Sequence, residues 1–386
     1  MLRLFLMSLA LLTSRVLAAP PLLPAAPELP SQAYILVDFD TGAVLVEHNA
    51  DQALPPASLT KLMTAYVLAE EIDAGRLGLD DPVQVSRNAW AQNPLFSGSS
   101  LMWLEPGKPV TVRELERGIV ISSGNDATMA IAEHIAGTEA AFADMMNRYA
   151  DVLGLSATRF LNSHGLPAEG HQTSARDLAT LAAATIRDHP DRYAVYSELS
   201  YTYNDITQYN RNTLLREDDS VDGLKTGYTS EAGYGLVASA QRDDMRLISV
   251  VLGSRSQTTR KTESRTLLNY GFRFFETLRP VLPEVPLAAE RVWKGVAEEL
   301  RAGVIDPVVL TVPRTSAQTN LQIAVNTPLE APIARGDVVG HVMILRDGET
   351  LSEVPLVALE AVEQSGFFAR LWDALVLWFT QLLGSA

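Results

Sequence analysis

The sequence predicts a mixed α/β (α+β) domain built on a central antiparallel sheet, followed by a small all-β sandwich and a C-terminal amphipathic helix. Three observations carry that expectation. Strand-like runs flank a long helical stretch, so the sheet must pair the first and last segments of its domain. Past Pro280-Val281-Leu282-Pro283 the helical periodicity gives way to short β-rich runs separated by turns. From Phe367 to Leu383 a helical period returns.

Composition sets the outer bounds. A chain of 386 residues is too long for one compact core, and 47% hydrophobic with 20% charged residues is ordinary for a folded soluble protein. The balance of 46 acidic against 31 basic residues, a net charge of −15, excludes nucleic acid as an expected partner, because binding phosphates needs a basic footprint. Cysteine is absent, which excludes disulfides, thiol nucleophiles and thiolate metal sites. Chemistry must come from hydroxyls, amines, carboxylates and six scattered histidines.

In chain order, residues 1–19 read as a secretory signal. Arg3 begins it, Leu4 to Leu12 is apolar, and Val16-Leu17-Ala18 offers a small-residue cleavage site. The apolar run is short of the roughly 20 residues a bilayer needs. A Pro-rich linker from Pro20 to Pro30 precedes a domain expected over 30–278. It opens with a hairpin, Tyr34 to Asp38 and Ala43 to Glu47 about a turn with Asp40 and Gly42. Helical patterns follow at Lys61 to Ile72, Val112 to Ile121, Ala127 to Ile135 and Ala140 to Leu153. Strands return at Gly223 to Thr229, Gly235 to Gln241 and Arg246 to Gly253, the last two a hairpin over Asp243-Asp244, and a helix from Arg260 to Glu276 closes the unit. The all-β domain, 284–362, shows runs at Val308 to Val312, Leu321 to Val325, Val338 to Leu345 and Leu351 to Leu359, with Asp347-Gly348 a hairpin cue.

The tail, 365–386, places Phe367, Phe368, Leu371, Trp372, Leu375, Trp378, Phe379, Leu382 and Leu383 on one broad face; Arg370, Asp373, Thr380 and Gln381 share the other, with Leu377 an exception among them. Such a helix suits a membrane interface, aromatic side down. A core helix, a spanning helix and a helix for a partner's groove are the competing readings.

Three short patterns hold the chemistry. Ser58-Leu59-Thr60-Lys61 starts an apolar helix, and a three-residue spacing puts the Ser58 hydroxyl and the Lys61 amine on one face. A serine is a poor nucleophile until a base takes its proton, and a lysine is a base only when neutral, which burial or a nearby cation can bring about. Ser123-Gly124-Asn125 offers a hydroxyl for proton relay and an amide to hold a lysine and a substrate carbonyl. Lys225-Thr226-Gly227 lies in a predicted strand, where Lys225 and Thr226 can bind an anion and Gly227 leaves room for a substrate backbone along the strand edge. Each alone reads as a cap, a turn or a surface lysine, as Ser86-Arg87-Asn88 does.

Together, in this order, they form the set found in penicillin-binding proteins and class A β-lactamases. The chain resembles the low-molecular-mass penicillin-binding proteins, the D-alanyl-D-alanine carboxypeptidases of serine peptidase family S11. Pro56-Ala57-Ser58-Leu59-Thr60-Lys61, Gly98-Ser99-Ser100-Leu101-Met102, Arg211-Asn212 and Asp222-Gly223-Leu224-Lys225-Thr226-Gly227 look like that family's strings. The resemblance spans the mature chain and implies a penicillin-binding/β-lactamase-like catalytic domain. It implies Ser58 as nucleophile, Lys61 as general base and Ser123 as proton shuttle. Asn125 would orient Lys61 and the substrate amide. Lys225 and Thr226, assisted by Arg211, would hold the terminal carboxylate. The backbone N–H groups of Ser58 and Tyr228 would form the oxyanion hole.

The implied partners are peptidoglycan stem peptides ending in D-Ala-D-Ala, β-lactams, and a membrane surface met by the Phe367–Leu383 helix on the periplasmic face of the bacterial inner membrane. No cofactor is implied. Lys225, if charged, would help keep Lys61 neutral. Some relatives carry His where Tyr228 stands, which leaves the pH profile and deacylation open. His164 and His171 are a loop pair expected to hydrogen-bond rather than bind metal. Two further readings compete: an endopeptidase of peptidoglycan cross-links, and a wall-peptide binding protein with a dead site. A β-lactamase would need a deacylating glutamate, for which no convincing candidate appears.

Overall fold

A computed structural model describes residues 23–314 and 318–384. The expected signal over 1–19 lies outside the described residues. The first hairpin pairs β1 (Ala33–Asp38) with β2 (Val44–His48). A short 3₁₀ turn over Ala57–Thr60 then leads into α1 (Lys61–Asp73). The helical region continues through a two-stranded ribbon of β3 (Pro82–Val83) and β4 (Val110–Thr111), α2 (Val112–Arg117), α3 (Asn125–Ala136), α4 (Glu139–Val152), α5 (Ala175–Asp188) and α6 (Pro190–Tyr193). A small hairpin of β5 (Ser200–Tyr203) and β6 (Ile206–Tyr209) precedes three long strands, β7 (Val221–Thr229), β8 (Gly233–Arg242) and β9 (Met245–Ser254), and helix α7 (Gln257–Phe274).

The five-stranded antiparallel sheet runs β2-β1-β9-β8-β7. First and last segments therefore meet, Ala33 to Asp38 against Leu252 to Leu247, as the sequence order requires. One face buries Ile35, Val37, Val237 and Val250 under α1 and α5, while Leu36, Leu236 and Leu247 on the other pack on α7 through Leu267 and Leu268. Alternation along each strand feeds both cores. β7 is an edge strand, and its free edge faces the helical region.

Helix α7 stops at Phe274 and Phe275 is already extended, so the helical expectation as far as Glu276 overruns by two residues. Phe275 starts β10 (Phe275–Val281), which pairs with β13 (Val308–Pro313). The remaining strands are β11 (Ala288–Trp293), β12 (Glu299–Gly303), β14 (Thr319–Val325), β15 (Leu329–Glu330), β16 (Val338–Arg346) and β17 (Glu349–Ala358), in a six-stranded sheet ordered β14-β16-β17-β12-β11-β15. Asp347-Gly348 turns β16 into β17 as read from the sequence. β11 and β12 were not anticipated: charged Glu290, Arg291, Glu299 and Arg301 dilute their apolar alternation.

Helix α8 (Phe367–Gly384) lies against β11 of the β-rich unit. Asp373 accepts the Lys294 backbone N–H at 2.7 Å, and Leu377 is only 8% exposed. This accounts for the exception: Leu377 sits among polar residues because that face docks on the chain's own β unit. The opposite face is bare, with Phe368 83% and Trp372 68% exposed. Among the described residues no helix is long and apolar enough to cross a membrane.

Candidate active site

The 3₁₀ turn presents Ser58 at the floor of a cleft of about 560 Å³ between the helical region and the β7 edge. One turn on, Lys61 is 1% exposed, and its Nζ reaches Ser58 Oγ at 3.2 Å. The amine also donates to Asn125 Oδ1 and to the His164 carbonyl, both at 2.6 Å. Asn125 cannot rotate freely, because its Nδ2 donates to Ser99 Oγ at 2.8 Å and Ser99 in turn donates to Phe96 O.

Ser123 arrives by an irregular route. The sequence reads as helix from Val112 to Ile121, but regular α-helix ends at Arg117 and a π-helical turn covers Gly118–Ser122. Ser123 follows in the left-handed region at φ 63°. Widened π turns in helices recur at functional sites because they re-aim one side chain. Here Ser123 Oγ accepts from Lys225 Nζ at 2.9 Å. Lys225 is 2% exposed, with Thr226 beside it on β7, and it also donates to the Thr226 carbonyl.

Gly227 has a packing reason as well. A Cβ there would meet Leu59 Cγ at 3.0 Å and Pro56 O at 3.1 Å, so the missing side chain lets β7 close on the turn that carries Ser58. Tyr228 is 52% exposed at the cleft mouth and stacks on Tyr234 at 4.2 Å. Arg211 lies at the rim and donates to Ser122 O at 3.0 Å. Ser58, Ser123, Asn125, Arg211, Thr226, Gly227 and Tyr228 all line this one cleft, while Lys61 and Lys225 lie beneath its surface.

Burial pulls the Lys61 pKa down to about 7; the Asp126 carboxylate opposes this and Arg211 adds to it. Lys225 sits well below the ordinary lysine range, again mainly through burial, then through Lys61, Arg211 and Arg260. Lys61 is thus one of the cations that, after burial, hold Lys225 down.

Several participants were not legible. Asp126 accepts the backbone N–H groups of Met102, Trp103 and Leu104 at 2.7, 2.8 and 3.0 Å, which fixes the strand of loop facing Asn125. Its position next to Asn125 was the available signal. Buried Arg260 donates to Gly227 O at 3.0 Å and underlies Tyr234, and nothing in its sequence neighbourhood announces it. His164 contributes its carbonyl rather than its ring, which burial holds neutral with a pKa of about 3. Ser86, in the second S-x-N string, merely closes a turn and bonds Glu133 at 2.5 Å. None of the described residues lining the cleft is a carboxylic acid.

A serine beside a buried amine, with a second amine and hydroxyl across the cleft, narrows the possibilities, and comparison with known proteins decides among them. Residues 21–256 match the peptidase S11 family of D-alanyl-D-alanine carboxypeptidases, and residues 275–364 match the C-terminal domain of penicillin-binding protein 5. This chain belongs to the D-alanyl-D-alanine carboxypeptidase family. The carboxypeptidase is 45% identical to D-alanyl-D-alanine carboxypeptidase DacC of Escherichia coli K12 over 365 residues, 93% of this chain and 91% of the relative. It is 44% identical to DacA of the same organism over 94% of this chain and 91% of the relative. The crystal structure of penicillin-binding protein 5 from Haemophilus influenzae superposes with a TM-score of 0.79 at 39% identity, covering 88% of this chain and 99% of that one.

Proposed function

We propose that this carboxypeptidase removes the terminal D-alanine from peptidoglycan stem pentapeptides through an acyl-enzyme on Ser58, at the outer face of the bacterial inner membrane. The observation that carries the reading is the buried Lys61 amine 3.2 Å from Ser58 Oγ. Lys61 takes the serine proton as Oγ attacks the carbonyl between the two D-alanines. The oxyanion meets the backbone N–H groups of Ser58 and Tyr228. Lys225, Thr226 and Arg211 hold the terminal carboxylate, whose negative charge restores the Lys225 ammonium and thereby presses Lys61 toward the neutral form. Ser123, bonded to Lys225, passes a proton to the nitrogen as the C–N bond breaks and D-alanine leaves. Water then cleaves the Ser58 ester.

A β-lactam offers the same carbonyl and carboxylate, and its ring opening acylates Ser58. The absence of a carboxylic acid from the described cleft lining argues for a lasting adduct rather than fast turnover. The bare aromatic face of α8 supports seating on a membrane interface.

Mass spectrometry after incubation with a penicillin, with peptide mapping, tests the chemistry. The expected result is a one-to-one adduct on the peptide containing Ser58, absent in Ser58→Ala. An adduct elsewhere, or none, refutes the assignment.

A further inference from the structure

The nucleophile's own N–H belongs to the Ala57–Ser58 peptide unit, and how that unit is held has not been accounted for by the cleft. A trans peptide is planar, so the Ala57 carbonyl and the Ser58 N–H point in opposite directions. Whatever anchors the carbonyl therefore aims the N–H.

Ala57 stands at φ 49°, in the left-handed region that a residue with a Cβ rarely adopts and that persists only when its surroundings enforce it. The enforcement is visible. Thr60 Oγ1 donates to Ala57 O at 2.9 Å and lies 2.8 Å from His171 Nε2. His171 Nδ1 accepts the Leu161 backbone N–H at 2.9 Å, so the ring's proton is on Nε2 and points at Thr60 Oγ1. Each donor in this chain has one acceptor, and its direction is fixed: His171 to Thr60, Thr60 to Ala57. Both side chains are buried. On the far side of the carbonyl stands Gly165, at φ 87°; a Cβ there would fall 1.8 Å from Ala57 O and 2.8 Å from Thr60 Oγ1.

We propose that Thr60 and His171, backed by Gly165, are positioning residues that hold the Ala57 carbonyl inward so that the Ser58 N–H is aimed at the oxyanion formed on acylation. They touch neither substrate nor Ser58 Oγ; they act through one peptide plane. The inference rests on the Ser58 acyl-enzyme reading above.

The test uses the full chain with Thr60→Val, which keeps shape and loses the hydroxyl, and Thr60→Ser, which restores it. For each, the acylation rate constant and the preceding dissociation constant of a penicillin are measured. So is turnover of a D-Ala-D-Ala ester analogue against its thionoester, in which sulfur replaces the carbonyl oxygen. Thr60→Val should acylate about tenfold to hundredfold more slowly, short of the loss of a whole oxyanion donor. Its dissociation constant should stay within about twofold, since the carboxylate partners are untouched, and its preference for oxygen over sulfur should shrink. Thr60→Ser should return all three to wild-type values.

A folded Thr60→Val acylating at the wild-type rate, or slowed equally toward ester and thionoester, overturns the proposal. Should Thr60→Val fail to fold, His171→Gln and His171→Phe are read by the same measurements, with Gln keeping an N–H toward Thr60 and Phe losing it; equal rates in the two overturn it. Wild-type protein that gives no Ser58 adduct overturns the underlying reading itself, and this is seen before any variant is compared.

Discussion

Lys61 must be an amine when it receives the Ser58 proton, and the surroundings favour that for a definable reason. Desolvation penalises the ammonium, Arg211 repels it, and only Asp126 pulls the other way, leaving the pKa at about 7. A base acts in its unprotonated form, so below pH 7 the acylation rate should fall about tenfold per pH unit and above it should level off. A stopped-flow profile with a penicillin, flat between about pH 5 and about pH 8, would exclude Lys61 as the base. Arginine cannot give up its proton, so Lys61→Arg should lose roughly 10²- to 10⁴-fold in acylation. Ser99→Ala tests the same proton chain one step back. Without Ser99 Oγ the Asn125 amide loses the partner that orients it toward Lys61, and acylation should slow about tenfold while the fold holds. An unchanged rate would assign Ser99 to the loop alone.

At the level of elements, periodicity was enough for most of the scaffold. Alternating runs located β1, β8 and β9, and the three-residue spacing of Ser58 and Lys61 brought hydroxyl and amine together, although Ser58 sits on a 3₁₀ turn and only Lys61 is on α1. What periodicity could not register was departure from regular geometry. Ile119 continues the helical spacing of Val112 and Leu115, so nothing in the pattern marks the π turn or the left-handed Ser123. Phe275 could extend an apolar helical stripe or begin a strand, and only pairing with Pro313 in β13 decides. Leu377 looked like noise until its docking partner was known. Gly227 also has a packing role that the sequence does not signal. An added Cβ would press the Leu59 side chain and also Pro56 O and Leu59 N, backbone atoms that cannot swing away like a side-chain tip. Gly227→Ala should therefore displace β7 from the Ser58 turn by a few tenths of an ångström. Acylation should drop at least about tenfold, because misplacement of this order near reacting groups is costly. Melting temperature should change little. Wild-type acylation in this variant would show that the two elements are not held to that tolerance.

Across the whole molecule, a chain of contacts ties the cleft to the bare aromatic face of α8, the face proposed to meet a membrane. Asp38, buried at the end of β1, accepts from Thr277 Oγ1 at 2.5 Å and Thr311 Oγ1 at 2.9 Å, one on β10 and one on β13, so the catalytic unit is bolted to the β-rich unit. Thr41 and Thr311 add a third hydroxyl hydrogen bond across the same joint. The β-rich unit in turn carries α8, held through Asp373 and Leu377. The polar stripe of α8 is thus used within the chain, and only the aromatic side is left for an outside surface. A net charge of −15 rules out strong attraction to anionic headgroups, and Arg370 is bonded to Gln364 rather than aimed outward. Binding should then come from apolar burial, with each large side chain contributing about 1.5–3 kcal/mol when fully buried. Two consequences distinguish this from electrostatic attachment. Sedimentation with neutral phosphatidylcholine vesicles should match that with anionic ones, and raising salt to about 1 M, where the Debye length is about 3 Å, should not release the protein. Replacing Trp372 and Trp378 together by Glu should release it from both, while Ser58 still acylates at the wild-type rate because neither residue approaches the cleft. Binding that vanishes in salt, or that survives the double substitution, would mean that the exposed face of α8 is not what the membrane receives.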